Sequence, residues 1–170
     1  MRSSQSQDGS ISLFRNPRFN ELFVALVAIA ALWLDQFTKG LVVANAHDGS
    51  YVVMVVPHLL RWNLTQNYHG AFGMFGSNSV LLIGMALIVL VVFWLNFRTA
   101  AKHSLLVRIA FGLIVGGAIG NIVDRLRHGY VIDFIDFYRI WPNVFNVADA
   151  CVTVGVALLL ISSFATRRHA

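Results

Sequence analysis

The 170-residue sequence predicts an all-α membrane protein of four transmembrane helices, with a small extracytoplasmic β-rich subdomain between helices 1 and 2. Three observations lead there. The chain is 57% hydrophobic and only 12% charged, about half the charged fraction of ordinary soluble domains. Its apolar residues gather into four windows, Leu22–Ala44, Val80–Phe97, Leu105–Val123 and Val147–Phe164, each close to the ~20 residues that carry a helix across ~30 Å of hydrocarbon. Its positive charges also fall unevenly. Arg2, Arg15 and Arg18 precede the first window, Arg98, Lys102 and Arg108 surround the second connection, and Arg167 and Arg168 follow the last window. That bias predicts that both termini are cytoplasmic, although Arg61, Arg125, Arg127 and Arg139 fall on the opposite side.

Taken in order, residues 1–20 read as a polar, mobile cytoplasmic leader, residues 21–166 as one integral membrane domain and residues 167–170 as a cytoplasmic tail. In the first span the apolar run before Asp35 has 13 residues, about 20 Å of helix, which is too short to cross alone. Asp35 therefore sits within the span or near its outer boundary. Lys39, four residues on, shares its helical face and can pair with it. "VVANAHD" offers an A-x-A-like cleavage site after an apolar run, as a secretory signal would, but the run is too long and "DQFTK" interrupts it, so the window reads as a span.

Residues 45–78 contain "YVVMVV", a proline and "LLRWNLTQN", in which Leu60, Trp62 and Leu64 alternate with polar neighbours, so two or more short strands are predicted. In the third span "GGAIGNIVDR" supplies small residues for close helix packing, and places Asn121 and Asp124 three apart on one face. Residues 128–146 read as an extracytoplasmic loop whose Tyr130, Phe134, Phe137, Tyr138, Trp141 and Phe145 suit an interface where rings have one apolar and one wet end.

Several chemistries find little support. The net charge of +5 forms no basic patch interleaved with aromatics, so no nucleic-acid partner is expected. The six histidines lack metal-ligand spacing, H-E-x-x-H and G-x-S-x-G are absent, and Cys151 is the single cysteine; neither metal nor cofactor is expected. The carboxylates are more informative. Asp35 reads as half of a structural pair with Lys39 more readily than as a catalyst. Asp124 has Arg125, Arg127 and His128 beside it and reads as structural, and Asp136 reads as a partner of Arg139. Asp133 in "YVIDFI" and Asp149 in "FNVADACV" have no cation within four residues. Desolvation there disfavours the charged form, and two such groups facing each other would share a proton and could activate water for amide hydrolysis. A small proton-coupled carrier or channel component using intramembrane carboxylates is the alternative.

"DQFTK", "NYHGAFGMF", "GGAIGNIVDR", "YVIDFI" and "FNVADA", in this order among four spans, resemble the lipoprotein signal peptidases, the signal peptidase II family of bacterial membrane aspartyl proteases. The resemblance implies an endopeptidase that cleaves before the lipidated lipobox cysteine of diacylglyceryl-modified prolipoproteins. It implies that Asp133 and Asp149 are the catalytic pair, that Asn67, Asn121, Arg125 and Asn146 line the substrate site and support it, and that Asp35 and Lys39 are a structural pair. The setting it implies is a monomer among the lipids of the bacterial cytoplasmic membrane, with its active site near the extracytoplasmic face. The chain departs from the family's usual N-x-G-A-A-F by having His69 and Gly70 where glycine and alanine are usual.

Overall fold

The computed structural model describes residues 17–69, 78–100 and 104–167. Most of the expected leader, residues 70–77 with the end of the "NYHGAFGMF" motif, residues 101–103 with Lys102 of the second connection, and the last three residues of the tail lie outside the described residues. Four helices are present among those described: α1 (Pro17–Ala44), α2 (Ser79–Ala100), α3 (Leu105–His128) and α4 (Val147–Arg167). Pro17 opens α1, a position where its missing N–H costs no helical hydrogen bond. Pro17–Asn20 thus belong to the helix and not to the leader. Three helical stretches are long and apolar enough to cross a membrane, Asn20–Ala44, Leu105–His128 and Val147–Phe164, while α2 carries a shorter apolar stretch, Ser79–Leu95.

The central helix is α3, which packs against all three others. Its small residues make that possible. Gly112, Gly116 and Gly120 recur every four residues toward α1, and Gly117 faces α4. A Cβ at Gly116 would run into the backbone oxygen of Ala28, and one at Gly117 into that of Ala148, so the helices approach at backbone distance as small-residue membrane packing requires. Val24, Val107 and Phe111 form a buried cluster with Phe93 and Leu159 near the start of α1 and α3. At the other end of the bundle α3 stops at Gly129, whose left-handed backbone lets its N–H reach the carbonyl of Arg125.

At that end four strands form one antiparallel sheet in the order β1 (Val52–Val56), β2 (Leu60–Asn67), β3 (Val131–Asp136), β4 (Val144–Phe145). The two strands expected between the first two helices are present. The segment 128–146, expected as a loop, instead supplies β3 and β4, so the sheet is not confined to the first connection. The reason is burial. Val131, Ile132, Asp133, Phe134 and Asp136 are all buried, so β3 shows no inside-outside alternation and its aromatics resemble interface residues. Phe134, expected at an interface, is a core residue whose ring meets Trp62 edge-on at 6.2 Å. The register sets Thr65 opposite Asp133 and Arg61 opposite Asp136.

Candidate active site

The C-terminal parts of α1 and α3, the N-terminus of α4 and the inner strands of the sheet meet at one place, and among the described residues most of the buried polar groups are there. Asn146 is at its centre. It is the N-cap of α4: its Oδ1 accepts the backbone N–H of Asp149 at 2.9 Å, and the Asp149 carboxylate accepts the Asn146 N–H at 3.4 Å. This reciprocal arrangement is a capping box, and it explains locally why "FNVAD" starts a helix. It also fixes Asp149 at the positive end of the helix dipole, where an ionised carboxylate is favoured.

The side-chain amide of Asn146 points away from its own helix. Its Nδ2 donates to Oδ1 of Asp133 at 2.7 Å, with longer bonds to the Ile132 carbonyl and Asn121 Oδ1. One asparagine therefore joins the two carboxylates that lack a cation nearby in sequence. The second oxygen of Asp133 accepts Nδ2 of Asn67 at 2.8 Å, a diagonal neighbour across the β2–β3 pair. Asn121 donates to Asp149 at 2.8 Å. Asp133 is 1% exposed. Burial, and after it the negative charge of Asp149, raise its pKa to about 7 against the opposing hydrogen bonds from Asn67 and Asn146. Near neutrality Asp133 is poised to hold or release a proton.

Behind this pair lies a second buried layer. Lys39 Nζ is 2.8 Å from Asp35 Oδ2, 2.8 Å from Asp124 Oδ2 and 3.3 Å from Asn121 Oδ1. Its three ammonium hydrogens thus meet three acceptors. Asp35 also accepts the Ala148 N–H at 2.9 Å, which ties α1 to the first turn of α4. Gly120 admits this carboxylate, because a Cβ there would come within 2.5 Å of Asp35 Oδ2. Arg125 donates to the Asn121 carbonyl at 3.3 Å and lies within Coulombic reach of Asp149 and Asp133.

The structure brings together Asp133, Asp149, Asn67, Asn121, Asn146 and Arg125, with Asp35, Lys39 and Asp124 beneath them. Two sequence expectations need correction. Asp124 is held by Lys39, by Gln36 at 2.9 Å and by the Ile132 N–H at 3.1 Å, and among the described residues it forms no ion pair with the basic residues that follow it, because Arg127 and His128 are exposed and Arg125 donates to the Asn121 carbonyl. Asp136 pairs with Arg61 at 2.6 Å and Asn63 at 3.1 Å, since the register sets β2 beside it while Arg139 lies beyond the strand. Sequence reasoning missed Gln36, which also touches Asp35 and receives Arg127. Its signal was a second polar residue beside Asp35 in an apolar span. Among the described residues no group of three or more His, Cys, Asp or Glu side chains could hold a metal ion.

Comparison with known proteins gives the chain's relatives. The family model described as signal peptidase (SPase) II matches residues 27–165. A lipoprotein signal peptidase of Halothermothrix orenii is 38% identical over 138 residues, covering 81% of this chain and 92% of the relative. One from Chlorobaculum tepidum is 35% identical over 160 residues, covering 85% and 97%. Among solved structures, one described as a bacterial membrane enzyme obtained by the in meso method at 2.3 Å resolution superposes with a TM-score of 0.75 at 30% identity, covering 84% of this chain and 87% of the other.

Proposed function

The chain belongs to the signal peptidase II family, and on that premise we propose that Asp133 and Asp149 are the carboxylates with which it removes the signal peptide from diacylglyceryl-modified prolipoproteins. It is an aspartyl peptidase acting on lipoprotein precursors. The observation that carries the assignment of its catalytic pair is Asn146, which caps the helix bearing Asp149 and donates to Asp133 at 2.7 Å.

The environments suggest the division of labour. Asp149, at a helix N-terminus, acts as the ionised base. Asp133, deeply buried, enters protonated. Asp149 takes a proton from water as the oxygen attacks the carbonyl carbon before the lipidated cysteine, and Asp133 gives its proton to the carbonyl oxygen. The tetrahedral diol then collapses. Its C–N bond breaks, Asp149 returns its proton to the departing amine, and one hydroxyl proton goes back to Asp133. Arg125 stands where it can stabilise negative charge at the scissile group. Asn67, Asn121 and Asn146 hold the carboxylates in place, and their amides line the substrate path.

The substrate's own chemistry suggests where this happens. A lipid-modified cysteine following a membrane-embedded signal helix presents its scissile bond at the membrane surface, and the pair sits at the sheet end of the bundle, which we place outside. Both termini are then cytoplasmic, and the protein works as a monomer. The carrier alternative is unsupported: its acids would be spaced through the bilayer, whereas these carboxylates gather at one end. The test is processing of a diacylglyceryl-modified prolipoprotein by the purified chain, with an unlipidated copy as control. Equal cleavage of both would reject the lipid requirement, and cleavage of neither would reject the function.

A further inference from the structure

Beside the catalytic pair, but sharing none of its residues, a groove of about 520 Å³ opens between β2 and the turn from β3 to β4. That size falls in the range of small-ligand sites. Its walls carry Arg61, Tyr138 and Arg139 with Ile140 and Trp141 at the rim. The Tyr138 ring lies under both guanidiniums, 4.5 Å from Arg61 and 5.0 Å from Arg139. Arg61 is neutralised by Asp136 at 2.6 Å. Among the described residues Arg139 has no carboxylate partner, so the groove keeps a net positive charge. Arg139 also holds a left-handed backbone at φ 64°, a conformation that strains a non-glycine residue.

The rim gives the second half of the argument. Ile140 is 63% and Trp141 52% exposed, and this turn ends only a few residues before α4 enters its apolar span at Val147. An arginine stacked on tyrosine beside an exposed tryptophan at that depth suits the headgroup layer, where aromatic rings settle and cations meet phosphates. We propose that this groove binds the phosphate-bearing headgroup of an anionic phospholipid, with Arg139 as the charged contact and Ile140 and Trp141 immersed beside it. The proposal rests on the outward, surface-level placement of the sheet given above. It assigns the groove to a resident membrane lipid that would seat the sheet on the bilayer next to the cleavage site.

The test compares phosphatidylglycerol and phosphatidylcholine binding to the full purified chain by native mass spectrometry, with Arg139→Asn as the variant because asparagine tolerates the left-handed backbone. Loss of one charge-assisted contact should weaken phosphatidylglycerol binding by about tenfold and leave phosphatidylcholine binding unchanged. Trp141→Ser, at an exposed side chain that adds little to packing, should weaken it as well. Parental phosphatidylglycerol affinity in both variants overturns the proposal, as does displacement of the lipid by an equal concentration of glycerol 3-phosphate, which would make this a site for soluble phosphate. Cleavage of lipidated prolipoprotein in phosphatidylcholine nanodiscs should persist in both variants. Its failure in the parent chain would count against the peptidase reading alone.

Discussion

At the scale of single residues, the carboxylates divide by partner. Lys39 is 2.8 Å from both Asp35 and Asp124, and Arg61 is 2.6 Å from Asp136, whereas Asp133 and Asp149 are held by amides and backbone N–H groups. Amides orient a carboxylate without fixing its charge, which leaves it able to exchange protons. Asp133→Asn and Asp149→Asn should therefore each abolish cleavage of lipidated substrate, and the double variant should be little slower than either single one, because groups acting as a unit are not additive. A double variant far slower than two partly active singles would dissolve the pair. Asp136→Asn, assayed at matched levels of folded protein, should keep most of its activity. Asp133 also carries a stability cost. Its pKa in the folded chain is about 7, above its ordinary value of 3.8, so folding favours the protonated form. That contribution is complete below pH 3.8, fades as pH rises through about 7 and is absent above it. Asp133→Asn should thus melt higher than the parent at pH 8, by the equivalent of at most about 4 kcal/mol, and the difference should shrink as pH falls toward 5. A gap that widens on acidification would contradict the assigned environment.

At the scale of elements, the site depends on how closely α1, α3 and α4 approach. Gly120 provides the tightest example, since any side chain there meets the Asp35 carboxylate that also receives the Ala148 N–H. Gly120→Ala should lower the melting temperature by the equivalent of about 1–3 kcal/mol and slow cleavage through displacement of α4. An unchanged melt together with unchanged activity would mean that the Asp35 anchor has slack. The glycine-rich run was legible in the sequence as a packing face, and the absence of nearby cations already separated Asp133 and Asp149 from the other acids. The partners were less legible because they come from other elements. Lys39 reaches Asp124 from a different helix, and Arg61 reaches Asp136 across strand register. β3 escaped recognition because a strand buried on both faces carries no period-two pattern. The N-cap role of Asn146 was written in "NVAD", an amide followed three residues later by an acid ahead of an apolar run. Its bridge to Asp133 depends on a strand that the sequence did not reveal.

At the scale of the whole molecule, polarity along the bundle axis links topology to chemistry. The sheet, the capping box and the buried Lys39 layer all lie where α1 and α3 end and α4 begins, while the apolar Val24–Phe111 cluster lies toward the opposite end. The sequence places four arginines at the sheet end, which weakens a simple count of positive charges. Arg61 pairs with Asp136, and Arg125 lies within reach of Asp149 and Asp133, but the rule counts positive residues and acids add little to it, so the side on which the sheet lies calls for a direct test. A cysteine replacing the exposed His47, introduced with Cys151→Ser to remove the native thiol, should react with a membrane-impermeant maleimide in intact cells. His47 follows α1 and precedes β1, so its accessibility reports the side on which the sheet and the proposed catalytic pair lie. Labelling only after the membrane is opened would put the sheet in the cytoplasm. That outcome would separate the carboxylates from substrates whose mature parts are exported, and the proposed cleavage site would have to be abandoned even if the pair itself were intact.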